Sequence, residues 1–442
     1  MKSIMISAPA SGNGKTTITL GLIRALVRRG LDVCSYKIGP DYIDRAFLEK
    51  ASGNPVGNLD LHLQGKQGLM HSLSRAPAEY CVIEGVMGYF DGIANTFQNS
   101  SHDIARLLNI PAILVYTPKG EMFSAIPKIK GMADFGQSMI RGVLFNNLSE
   151  RYFSLLEEAV TEHTDLQPLG YVPRLENAGF ESRHLGLIQS EEIEDLEARL
   201  DAIASALEKT VDLDRIIALM KAPRFNQADI KPQLSSYDCT VAVARDKAFS
   251  FYYRENLELL ESICRVVYFS PLEDSELPPC DLIYFGGGYP EVFREELAAN
   301  RSMLASVKAY GEAGGHIFGE CGGLMYLTET IEDTSMVGLL PGKCHLTTSL
   351  QRFGYVDLEL KEDCLLGKAG TRISAHEFHK SLASIDCPTV YQVSKTMGDK
   401  HWECGFRYKN IIAGYPHICF LNNIEVLHHL LSAASSNNRT GG

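Results

Sequence analysis

Short apolar, β-branched-rich runs, each followed by a longer stretch with helical spacing, recur through the first half of the chain: Ser3 to Ala8, Asp32 to Lys37, Tyr80 to Glu84, Ala112 to Tyr116, Ile140 to Phe145 and Leu169 to Val172. Successive strands joined through helices pair in the same direction, so this pattern predicts a parallel sheet wrapped by helices. A helical stretch from Glu191 to Met220 closes that half, and prolines and polar residues then break the periodicity, as a linker does. The rhythm restarts at Cys239 to Ala244 and continues with Arg265 to Phe269, Asp281 to Phe285 and His316 to Phe318. At 442 residues the chain exceeds the roughly 250 to 300 that one core supports. The expectation is two α/β domains, 1–225 and 237–432, joined by a linker over 226–236 and followed by a frayed Ser-, Asn- and Gly-rich tail over 433–442.

The net charge of -12 argues against a nucleic-acid or anionic-membrane partner, which requires a basic face. Eleven cysteines without C-x-x-C pairs fit a reducing compartment better than a disulfide framework. No run of about 18 apolar residues is present, and the N-terminus leads directly into a strand, so a soluble, cytoplasmic protein is expected.

Two motifs carry chemistry. Between the first strand and its helix lies Ala8-Pro9-Ala10-Ser11-Gly12-Asn13-Gly14-Lys15-Thr16-Thr17. It reads as a phosphate-binding loop, in which backbone amides cradle phosphate oxygens, Lys15 neutralises the terminal phosphates and the Thr16 hydroxyl reaches Mg²⁺. Pro9 stands where G-x-x-x-x-G-K-T has its first glycine. Asp41 and Glu84 follow the second and third strand runs, at the carboxyl ends where open α/β sheets bind ligands, and with Thr16 they form a candidate Mg²⁺ set. Capping a helix or turn is the other use of an acid before glycine.

The second motif is Gly319-Glu320-Cys321-Gly322-Gly323, straight after His316-Ile317-Phe318 and before Leu324-Met325-Tyr326-Leu327. This is the pattern of a nucleophile held on a tight strand-to-helix turn, where flanking glycines avoid clashes and the helix start favours a thiolate. Of thirteen histidines, His417 in Gly414-Tyr415-Pro416-His417 is the best-placed base, able to take the thiol proton and return one to departing ammonia. The amides of Gly287 and Gly288, in the glycine run after a strand, are candidate oxyanion donors. His376-Glu377-Phe378-His379 is one residue short of the H-E-x-x-H zinc pattern, and zinc is not expected there.

The ordered segments SGNGKTT, YKIGPDYID, NLD (Asn58 to Asp60), VIEGVMGYFDG, ESRHLGL, DKAFSFYYRENLELLE, FGGGYPE, ECGGLMYL and HEFHKS resemble, almost end to end, the cobyrinic acid a,c-diamide synthase family of class I-type glutamine amidotransferases. The first domain also resembles dethiobiotin synthetase, a P-loop NTPase-like fold. The resemblance implies that ATP phosphorylates acetate carboxylates of a tetrapyrrole and that glutamine, hydrolysed at Cys321 and His417, supplies ammonia through a shielded passage. It further implies that Gly12, Asn13, Gly14, Lys15, Thr16, Thr17 and Glu84 serve ATP and Mg²⁺, that Lys37 lies near the acyl phosphate, that Asp41 and Tyr42 flank the reacting carboxylate, and that Arg183 and His184 meet substrate carboxylates. A homodimer is compatible with this reading. The chain departs from the family pattern at Ala8, Lys380 and Cys419, and the glutamate two residues beyond the histidine of other class I triads is missing, so a Cys–His dyad is expected. Nickel-sirohydrochlorin is the alternative substrate. A P-loop ATPase switch is the alternative class, and it has no use for a glutaminase.

Overall fold

The structure is a computed structural model and describes residues 1–175, 182–183, 186–187, 193, 195–224 and 234–437. The chain falls into two compact units, Met1–Leu61 with Lys66–Lys231, and His62–Gly65 with Pro232–Gly442.

In the first unit, β1 (Lys2–Ser7) leads through a glycine-rich loop into α1 (Lys15–Arg28), followed by β2 (Val33–Ile38), α2 (Ile43–Ser52), β3 (Gly57–Leu59), β4 (Tyr80–Glu84), β5 (Ala112–Tyr116), β6 (Ile140–Asn146) and β7 (Gln167–Val172). They form one sheet in the order β3-β2-β4-β1-β5-β6-β7, and every pairing in it is parallel. Alternation along β1 feeds two cores: Ile4 and Ile6 pack with Leu22, Leu26 and Ile203 on one face, while Met5 packs with Ile83, Leu114 and Phe145 on the other. Burying both faces makes the strands read as continuous apolar runs. Each such side chain contributes about 1.5–3 kcal/mol.

The expected helix over Glu191 to Met220 is two helices, Leu196–Thr210 and Leu213–Leu219. Val211 leaves the helix to bridge Gly170 on β7, and Asp212 caps the next helix through the Arg215 amide.

A ten-stranded sheet organises the second unit. Five parallel strands stand in the order Arg265–Phe269, Thr240–Ala244, Leu282–Phe285, His316–Glu320 and Ile411–Gly414. Antiparallel strands His401–Tyr408, Thr389–Lys395, Arg352–Leu360, Arg372–His379 and His417–Ile418 extend it. The final helix runs over Ile424–Asn437 with Ala434 buried, so the chain stays packed beyond 433, where the tail was expected to begin. The linker expected over 226–236 falls mostly outside the described residues.

Candidate active site

The loop after β1 is built on left-handed glycines. Gly14 has φ +83° and starts α1, and a Cβ on it would lie 2.2 Å from the Asn146 amide nitrogen, so only glycine fits. Side chains from two further strand ends hold the loop: Asn146 Nδ2 donates to the Asn13 carbonyl at 2.9 Å and Thr117 Oγ1 to the same oxygen at 3.0 Å. Gly12, at φ +78°, has open space around it. The Pro9 substitution leaves the loop's exit into α1 intact, with the Ile18 amide on the Gly14 carbonyl.

Behind the loop is a buried charge cluster at the carboxyl ends of β2 and β4. Thr16 Oγ1 donates to Glu84 Oε1 at 2.6 Å. Lys37 Nζ stands 2.9 Å from that oxygen and 2.7 Å from Asp44 Oδ2. Burial opposes the Lys37 charge, yet the carboxylates of Asp44, Glu84 and Asp41 outweigh it and hold the group above the ordinary lysine range. Burial and the nearby Lys37 charge pull Lys15 down to about 8 against the pull of Glu84, Asp44 and Asp41, and its ammonium donates to the Met87 carbonyl at 2.8 Å. Asp41 Oδ1 accepts the Ile43 and Asp44 amides at 3.0 and 2.9 Å, so one carboxylate oxygen starts α2. Burial, then the Asp44 charge, raises Asp41 to about 7. Tyr42 begins α2 beside it. Asp44 is the member the sequence reading missed; its signal was the second acid of YKIGPDYID.

In the second unit three adjacent parallel strands end together. Leu282–Phe285 runs into Gly286-Gly287-Gly288, His316–Glu320 into Cys321, and Ile411–Gly414 toward His417. Cys321 adopts φ +48°, ψ −95°, an unusual conformation for a non-glycine residue, and its amide donates to the Gly414 carbonyl at 2.7 Å. Packing requires glycine at 323, where a Cβ would lie 2.5 Å from the Phe285 carbonyl oxygen, and leaves little room at 322, where one would lie 3.0 Å from Pro290 Cδ and 3.1 Å from the Gly288 nitrogen. A Cβ on Gly287 would strike His417 Cε1 at 2.4 Å and approach Nε2 at 3.3 Å. The glycine run therefore links the cysteine turn to the histidine.

Two expectations are corrected. The Gly287 amide donates to the Phe251 carbonyl at 3.3 Å, so Gly287 is a packing surface for His417 and only Gly288 of that pair presents its amide next to the cysteine turn. Nor does the turn favour a thiolate. Cys321 is 6 % exposed, and burial, reinforced by Glu291, Glu377 and Glu320, pushes its thiol well up despite the Gly322 amide facing it. The helix that follows, Gly322–Leu327, is too short to supply much dipole. Burial, with the nearby His379, lowers His417 to about 3, so the resting pair is a neutral thiol and a neutral imidazole.

The sequence reading also missed Glu320. Its Oε1 accepts the Ile418 amide at 2.8 Å, its Oε2 accepts the Tyr284 hydroxyl at 2.8 Å, and Oε2 stands 3.9 Å from His417 Nδ1. His376 pairs with His417 across the antiparallel strands. His379 stacks on Tyr415 with ring centroids 3.7 Å apart. On a strand, residues three apart point to opposite faces, so His376 and His379 do not share a ligand face. Arg183 lies in Ser182–Arg183, paired with Gly186–Leu187; its side chain and His184 lie outside the described residues. Among the described residues no helix is long and apolar enough to cross a membrane.

Gly287→Ala places a methyl group against the His417 ring and displaces it. Glutamate release from glutamine is expected to fall about a hundredfold, as for misplacement of a catalytic group by about 1 Å. Unchanged hydrolysis would contradict the role of this packing.

A strand–glycine loop–helix nucleotide site on a parallel sheet and a cysteine turn on a mixed one define the class, a nucleotide-dependent glutamine amidotransferase. The CobQ/CobB/MinD/ParA nucleotide binding domain matches residues 4–186, and the CobB/CobQ-like glutamine amidotransferase domain matches residues 240–424. A Clostridium tetani protein named cobyrinate a,c-diamide synthase is 46% identical over 98% of this chain and 100% of its own length. One of the same name from Clostridium acetobutylicum is 42% identical over 98% and 100%, and one from Listeria monocytogenes 40% identical over 98% and 99%. The chain belongs to the cobyrinate a,c-diamide synthase family.

Proposed function

We propose that the protein amidates the a and c acetate side chains of cobyrinic acid, drawing energy from ATP and nitrogen from glutamine. The observation that carries this reading is the near full-length match to relatives of that name in a chain that holds Lys15, Thr16, Lys37 and Glu84 in one cluster and has Cys321 and His417 beside one glycine run. A carboxylate is a poor acceptor for ammonia. Attack of its oxygen on the γ-phosphorus of ATP expels ADP and leaves an acyl phosphate, from which ammonia displaces phosphate to give the amide. Lys15 and Lys37 offset the charge that gathers on the transferring phosphoryl group. Asp41 and Tyr42 stand beside the substrate acid, and Arg183 and His184 are assigned to further carboxylates on resemblance alone.

Glu84 Oε2 is buried with no hydrogen-bond partner among the described residues, which suits a cation ligand. With the Thr16 hydroxyl it would hold Mg²⁺, which supplies charge neutralisation at the phosphates.

At the second site the Cys321 thiol passes its proton to His417 as sulfur attacks the glutamine carboxamide carbon. The Gly288 and Gly322 amides receive the oxyanion. His417 returns the proton to the departing nitrogen, and water then releases glutamate from the thioester. ATP, glutamine and eleven free cysteines are at home in the cytoplasm, where this reading places the enzyme.

Mass spectrometry of products from cobyrinic acid, hydrogenobyrinic acid and nickel-sirohydrochlorin, supplied in parallel with ATP and glutamine, tests the substrate. Cobyrinic acid should lose about 1 Da at each of two carboxyl groups, the change from OH to NH₂. Turnover of nickel-sirohydrochlorin alone would replace this substrate with the other.

A further inference from the structure

Neutral His417 accepts a proton from Cys321 only if one ring nitrogen is bare toward the sulfur and the other carries hydrogen. The ring lies with Cε1 and Nε2 toward Gly287, in the glycine run that reaches the cysteine turn, and its Nδ1 stands 3.9 Å from Glu320 Oε2. Glu320, one residue before the nucleophile, therefore faces the second ring nitrogen and not the one assigned to the sulfur. Its carboxylate is 2 % exposed and immobilised at both oxygens, by the Ile418 amide and the Tyr284 hydroxyl. Among the described ion pairs its only basic partner is His417. A buried carboxylate without a permanent cation costs several kcal/mol, whereas a neutral glutamine would accept the same two hydrogen bonds. The costly group is therefore placed where a cation forms transiently.

We infer that Glu320 is the third member of the glutaminase machinery, a positioning residue that keeps the proton of neutral His417 on Nδ1 and stabilises the imidazolium formed when Cys321 attacks. The role rests on the glutaminase reading above and replaces the expected dyad. The glutamate absent after His417 is supplied instead from the residue preceding the nucleophile. At 3.9 Å the contact is too long for a hydrogen bond. Catalytic hydrogen bonds are commonly long before substrate binds, and the assignment requires this one to shorten in the glutamine complex. The proton moves from Sγ to Nε2 and on to the departing nitrogen; Glu320 takes none, as with the carboxylate of a serine-protease triad.

The charge this requires is pH-dependent. Burial pushes Glu320 up to about 8, opposed by the Ile418 amide and the Tyr284 hydroxyl. The titratable groups facing it are Tyr284, Tyr252, Tyr391, Cys321 and His417. The ionised form is populated above about pH 8, so kcat/KM for glutamine hydrolysis should climb through that pH.

The test is Glu320→Gln in the full chain, with wild type and Cys321→Ala alongside. Measured above about pH 8, where Glu320 is ionised, the expected results are a kcat for glutaminase at least about tenfold lower, KM for glutamine within about twofold, ammonium-dependent amidation unchanged and the rise near pH 8 lost. Overturning results are a kcat within twofold of wild type, or a loss of ammonium-dependent amidation in parallel, which marks a structural role. Should Glu320→Gln fail to fold, Tyr284→Phe removes one bond to the carboxylate and keeps its charge. A lowered kcat at constant KM supports the assignment, and an unchanged kcat overturns it. Glutamine hydrolysis persisting in Cys321→Ala would instead overturn the glutaminase reading itself.

Discussion

Cys321→Ala is expected to lower glutamine-dependent amidation by at least about a thousandfold while amidation with ammonium chloride continues at the wild-type rate. The first effect follows from chemistry. No other cysteine lies on a positive-φ turn at the end of a parallel strand and leads into two tightly packed glycines. Without the sulfur there is no thioester and no ammonia. The second follows from the division of the chain, since the groups assigned to ATP and the substrate acid all belong to the first unit. Replacing the thiol by a hydrogen removes one sulfur atom from a buried site and leaves a small apolar gap, so the fold should persist. Rates measured with each nitrogen source at fixed ATP check this. Equal loss with glutamine and ammonium in a folded variant would break the two-site account.

Lys37→Met should have a comparable effect on the other half-reaction and a cost in stability as well. Lys37 is 3 % exposed and is the shared partner of Glu84 and Asp44. Taking away one partner of a buried ion pair costs about 3–5 kcal/mol, because the remaining charge is left without compensation. The carboxylates relieve part of this by binding protons, so the loss of stability should grow as pH rises. Ammonium-dependent amidation should fall by about 10²- to 10³-fold, the effect of deleting one fixed charge at a transferring group. Denaturant unfolding and the ammonium assay separate the two consequences, and glutamine hydrolysis should survive wherever the variant is folded. A stable, active Lys37→Met protein would remove this residue from the site.

The parallel strands were legible because burial on both faces writes them as apolar runs, and β4 and β5 match their expected limits. β3 escaped notice: Gly57-Asn58-Leu59 is three residues long and only one is apolar. The antiparallel strands from 352 to 408 escaped for a different reason. Arg352–Leu360 and Thr389–Lys395 mix exposed with buried positions, so neither forms a continuous apolar run. The glycine-flanked motifs marked the loop and the turn, because close backbone approach demands glycine at fixed spacing. What spacing does not carry is solvation. The reading of Cys321 as a favoured thiolate counted the helix and omitted the burial and the three carboxylates that raise it. Glu320 was in plain view inside its motif, but only the fold sets it against a histidine 97 positions later.

The central claim is that one unit activates an acid with ATP while the other releases the nitrogen that captures it. The most direct measurement is a single doubly labelled turnover, with the substrate carboxylates carrying ¹⁸O and glutamine carrying ¹⁵N in its side-chain amide, read by mass spectrometry of product and phosphate. Each new amide should contain ¹⁵N, and each released phosphate should contain one ¹⁸O transferred from the carboxylate. Phosphate without ¹⁸O, or amides without ¹⁵N, would contradict the account.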